Sequence, residues 1–67
     1  MTWQAKTPSL IPMSYEIKYD PAAGFYFYVF KNNLCIKDYL QDTLDIAIEM
    51  AWEDFGVPKN VWKKVKD

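Results

Sequence analysis

The sequence predicts a small α+β domain: a three-stranded antiparallel meander packed on one main helix, with an extended arm before it and a short helix after it. Three observations carry this reading. Strict apolar alternation runs from Ser14 to Asp20, strand formers fill Phe25–Phe30, and a helical stripe follows Asp42. A chain of 67 residues holds at most one core of this kind, and at that length only about 60% of the unfolded surface leaves water on folding. Hydrophobic residues make up 51% and aromatics 18%, more than a disordered chain carries.

Residues 1–13 contain Pro8 and Pro12 without a clear period and read as an arm, leaving 14–67 as the domain. Trp3, Leu10 and Ile11 give the arm apolar groups that need a packing partner. In Ser14–Asp20, Tyr15, Ile17 and Tyr19 fall on one face of a strand. Asp20-Pro21-Ala22-Ala23-Gly24 is a turn, because aspartate bonds to nearby backbone, proline presets φ and glycine accepts a left-handed conformation. Phe25–Phe30 is apolar on both faces, as suits a central strand. Asn32-Asn33 tolerates positive φ and makes a two-residue hairpin into a third strand, Leu34–Tyr39.

Asp42 or Thr43 caps the helix, with Asp45 in the capping-box position. Leu44, Ile48, Ala51, Trp52 and Phe55 then form one stripe expected to cover the sheet. Gly56 ends the helix and Pro58 prevents its extension. Val61 and Val65 at i, i+4 suggest a short helix over Pro58–Lys66.

With Asn32-Asn33 as the loop, Val29 faces Ile36, and one sheet face holds Phe25, Phe27, Val29, Leu34 and Ile36. The other holds Tyr26, Tyr28, Phe30, Cys35 and Tyr39. A four-residue loop at Pro21–Gly24 would add Tyr15, Ile17 and Tyr19 to this tyrosine face. The helix suits the phenylalanine face. The tyrosine face, apolar in body and polar at its tips, is then either covered by the arm and the Trp62 segment or open as a contact surface. Tyr26, Tyr28, Phe30 and Tyr39 are its candidate residues. Ile46 and Met50, one turn apart and off the stripe, are a second candidate contact. Asp45, Glu49 and Glu53 form a candidate acidic ridge, and Lys59, Lys63, Lys64 and Lys66 a basic tail.

Composition excludes more function than it suggests. With no histidine, serine-histidine and cysteine-histidine nucleophiles are ruled out, as are most zinc sites. All eight basic residues are lysines, so the forked arginine contact to phosphate and guanine is missing. No phosphate loop or catalytic spacing occurs, and helical spacing points the carboxylates away from a shared cation cage. No cofactor and no small-molecule substrate are expected. The net charge of -1 gives no nonspecific grip on nucleic acid or anionic membrane, and the longest apolar run, Phe25–Phe30, is too short for a membrane span. The single cysteine, Cys35, fits a reducing, cytoplasmic compartment. The expectation is a non-enzymatic protein-interaction module, self-associating as a dimer or inhibiting a partner. The alternative is a nucleic-acid-binding module using the aromatic sheet face and the lysine tail.

Tyr19-Asp20, a short turn, Gly24-Phe25-Tyr26, then Asp42-Thr43-Leu44 with Ala47-Ile48 and Ala51, make residues 15–55 similar to small antitoxins of the HicB kind. The resemblance implies a three-stranded sheet followed by a capped helix, in an oligomeric module that blocks a small RNA-cleaving toxin. Two positions depart from it. Lys31-Asn32-Asn33 replaces a proline- and glycine-bearing loop, and Gln41 stands where glycine is usual. No DNA-binding segment follows the helix, so autoregulation is not implied.

Overall fold

The computed structural model describes residues 1–7 and 10–65. In chain order it has strands β1 (Thr2–Thr7), β2 (Met13–Asp20), β3 (Gly24–Lys31) and β4 (Leu34–Gln41), helix α1 (Leu44–Phe55) and strand β5 (Lys63–Val65). They form one five-stranded sheet in the order β4-β3-β2-β1-β5, antiparallel throughout. This corrects the expected three-stranded meander. The segment read as an arm is β1, paired with β2 from Thr2–Lys18 to Thr7–Met13. The expected C-terminal helix is absent from the described residues. Lys63–Val65 instead pairs with Thr2–Gln4, while Lys66 and Pro8 lie outside the described residues. Val61 and Val65 were an ambiguous signal, because a three-residue strand has no period of its own and depends on its distant partner.

The first turn sets the faces of the sheet. Asp20 pairs with Gly24, so the loop is the three residues Pro21-Ala22-Ala23. The Asp20 carboxylate accepts from the Ala22 N–H at 2.9 Å and its carbonyl from the Ala23 N–H at 3.1 Å. Glycine is required next, since φ at Gly24 is 130° and a Cβ there would lie 2.6 Å from the Gln41 carbonyl oxygen. With three loop residues Tyr15 faces Val29, Ile17 faces Phe27 and Tyr19 faces Phe25. Those three β2 residues therefore belong to the phenylalanine face, against the four-residue expectation. The second turn is as expected: Asn32 and Asn33 have φ of 51° and 65°, and Lys31 pairs with Leu34.

A β-bulge then interrupts β4. Phe30 pairs with Cys35 but Val29 pairs with Lys37, which leaves Ile36 as the extra residue and overturns the Val29–Ile36 pairing. Beyond the bulge every side chain changes face, so Tyr39 stands opposite Phe27.

The helix packs over β3 and β4. The Thr43 hydroxyl accepts from the Ile46 N–H at 3.1 Å, and Gly56, at φ 69°, ends the helix as a left-handed cap. The cap turns the chain so that Val57 is fully buried. Ala47 and Ala51, also fully buried, let the helix approach the sheet closely, with Leu44, Ile48 and Phe55 packed around them. Trp52, one position past Ala51 and so 100° around the axis, is 49% exposed. It is therefore not part of the stripe that covers the sheet. Phe27, Ile17 and Val29 complete the buried centre, and Trp62 meets Phe27 edge-on at 6.3 Å.

Candidate functional site

Strand alternation sends Tyr26, Tyr28 and Phe30 of β3 to the face opposite the helix. Their neighbours follow from the pairing. On β4 they are Leu40, Asp38 and Cys35, and on β2 Lys18, Glu16 and Ser14. Further across lie Thr2, Gln4 and Lys6 of β1, with Val65 and Lys63 of β5 at the margin.

The three aromatics make a continuous row. Tyr26 and Tyr28 stack with centroids 6.0 Å apart and 18° between planes, and Phe30 continues the row 6.4 Å from Tyr28. All three are half-buried by their strand neighbours, and Leu40 beside Tyr26 is 51% exposed. No described element packs over this face. β1 extends the sheet sideways, and Trp62 packs on the opposite side against Phe27, so neither expected cover is in place.

Charge on the face is mixed. Glu16 accepts from the Gln4 amide at 3.2 Å, and Asp38 lies opposite Tyr28. The Tyr28 hydroxyl is pushed above its ordinary pKa, first by desolvation and then by Tyr26, Asp38, Cys35 and Glu16, so it stays a neutral donor near neutrality. Lys6, Lys18 and Lys63 occupy the β1, β2 and β5 side. A shallow groove of about 320 Å³ runs past Lys6, Ser14, Glu16, Phe30 and Asn33. It joins one cation to one carboxylate, with no activated nucleophile.

The other candidate residues lie elsewhere. Tyr39 does not join the row: it faces the helix, with its ring 6.0 Å from Phe27 and 6.3 Å from Phe55. The bulge that moves it leaves no mark in local sequence. Leu40, which sequence reasoning missed, takes its place. Ile46 is 46% exposed on the helix. Met50 is half-buried, its sulfur accepting from the Gln41 amide at 3.2 Å, so this flank of the helix leans toward β4.

The acidic ridge is partly neutralised. Lys59, from the segment after the helix, forms an ion pair with Glu49. That contact holds the Glu49 carboxyl below its ordinary pKa, while the hydrogen bond to Glu49 raises Glu53. Asp45 lies exposed in the first turn. Among the described residues no group of histidine, cysteine or carboxylate side chains is arranged to hold a metal ion, and no helix is long and apolar enough to cross a membrane.

The chain matches no family model, no curated protein and no solved structure.

Proposed function

We propose that this chain is a small, non-enzymatic protein-interaction module of the cytoplasm that docks a partner protein on its open sheet face. One observation carries the reading: a stacked row of three aromatics, continued by exposed Leu40, lies on a face that no described element covers. Side chains with apolar bodies and polar tips are enriched where protein surfaces meet, because they bury area and still satisfy a hydrogen bond. Inhibition of a partner is the form of interaction that the HicB-like resemblance suggests. Residues 15–55, on which it rests, fold as β2, β3, β4 and α1 in that order.

A second reading has its own observation. Lys6, Lys18 and Lys63 share the face with the aromatic row, a combination that suits stacked bases of a single strand. Glu16 and Asp38 beside Tyr28 weigh against it.

Affinity capture on the intact chain and on Tyr28→Lys, followed by binding with the purified captured species, separates the two. The protein reading expects a protein ligand that Tyr28→Lys abolishes and that persists at high salt. A nucleic-acid ligand whose binding collapses as salt rises would replace it with the second reading.

A further inference from the structure

We propose that two copies of this chain join through the outer edges of β4, antiparallel about a two-fold axis, to make one ten-stranded sheet with the two helices side by side. The two edges of the sheet differ in kind. One is β5, three residues long with Lys63 and Lys64 exposed, and short lysine-bearing edges are the usual protection against strand addition. The other is β4, eight residues long, with no described strand on its outer side. On it Leu34, Ile36 and Leu40 are 68%, 46% and 51% exposed. A two-fold β4 contact uses both long edges at once, beyond the bulge at Ile36 that guards the hairpin end, and leaves only the short β5 edges outside, so the assembly closes at two copies.

The bulge selects the register. Regular pairing geometry in β4 runs from Lys37 to Gln41, and the middle of that stretch is Tyr39. An antiparallel pair keeps facing residues on the same side, so a two-fold axis normal to the sheet must place a residue opposite itself. Centring on Lys37 or Asp38 sets like charges face to face, which is unfavourable. Centring on Tyr39 pairs it with its own copy, Lys37 with Gln41 and Asp38 with Leu40, and opposes no like charges.

The helices fit the same arrangement. Each α1 lies over β3 and β4. With strands about 4.8 Å apart, two helices so placed sit about 10 Å from each other, an ordinary helix-packing distance. The flanks they turn to one another carry Ile46 and Met50, the latter held toward β4 by Gln41. This gives the exposed Ile46 a partner surface, which the open-face reading does not.

Sedimentation velocity of the intact chain across concentrations, with Ile46→Lys and Tyr28→Lys, tests the dimer. Both substitutions are at positions that are not fully buried, and circular dichroism checks that each variant is folded. The expected result is a dimer that Tyr28→Lys preserves and that Ile46→Lys weakens about tenfold or more. Amide exchange at Asp38 and Leu40, whose N–H groups point to the outer edge of β4, should slow as concentration rises, while the Tyr39 N–H, which points to β3, serves as the control. A chain that stays monomeric at all concentrations overturns the proposal. So does a dimer that Tyr28→Lys breaks and Ile46→Lys leaves intact. Neither of these results removes the docking of another protein on the open face, since Ile46 lies on the other side of the sheet.

Discussion

Phe27 and Tyr39 stand opposite each other across β3 and β4 with ring centroids 6.0 Å apart, and Phe55 of the helix reaches both. Tyr15 and Trp62 meet the same Phe27 ring from other directions, each at 6.3 Å. One fully buried side chain thus links three strands, the helix and the segment that follows it.

Phe27→Ala is expected to cost about 3–5 kcal/mol, combining lost burial with a cavity that few neighbours can collapse into. Trp52→Ala, at a half-exposed position, is expected to cost roughly 1 kcal/mol or less. Urea unfolding of the two variants checks the order. Equal shifts in midpoint would return Trp52 to the core.

The two glycines should respond unequally to alanine. At Gly56 a Cβ meets nothing within 4 Å, so only the left-handed backbone is strained, at about 1–2 kcal/mol. At Gly24 the same change adds a clash with the Gln41 carbonyl to an unfavourable φ. Gly24→Ala is expected to lower the melting temperature more than Gly56→Ala. The reverse order would mean that the β3–β4 end yields easily.

Glu49 and Glu53 should titrate apart. Glu49 is lowered, first by its hydrogen bond to Lys59, so its stabilisation holds above the unfolded pKa and is lost as pH falls through the folded one. Glu53 is raised, first by its hydrogen bond to Glu49, so its contribution is present at low pH and lost as pH rises through the raised value. The two windows lie on opposite sides of the ordinary carboxylate value, so the pair's combined contribution is greatest near that value and falls on either side of it. Carboxyl-resolved NMR titration should place Glu49 below Glu53, and Lys59→Met should bring Glu49 upward. An unmoved Glu49 would show that Lys59 does not set it.

Much of the layout was legible because its signals are local. Alternation marks β2, strand formers mark β3, Asn32-Asn33 marks the hairpin, and Thr43 and Gly56 bracket the helix. The faces were harder to read. Asp-Pro-Ala-Ala-Gly suits a three- or a four-residue loop equally, and that single residue moves Tyr15, Ile17 and Tyr19 across the sheet. The bulge at Ile36 does the same to Tyr39 through tertiary pairing alone. In the candidate site, Tyr26, Tyr28 and Phe30 were found because they share one strand, whereas Leu40 and Tyr39 exchanged roles across the bulge. β1 carries a weak alternation in Trp3, Ala5 and Thr7, and β5 carries none that distinguishes it from a helical turn.

The pairing of Thr2 with Val65 has a consequence for the order of folding. The β2–β3 and β3–β4 ladders close through short loops, at little entropic cost and as soon as their strands exist. The β1–β5 ladder joins residues separated by nearly all of the described chain, and non-local pairings of this kind form slowly. A ribosome-bound chain therefore holds β1 with its outer edge bare until Val65 has emerged. Pulse-labelled exchange during refolding should protect Phe27 and Val29 before the Thr2–Gln4 amides that face β5. Simultaneous protection would make the sheet a single cooperative unit.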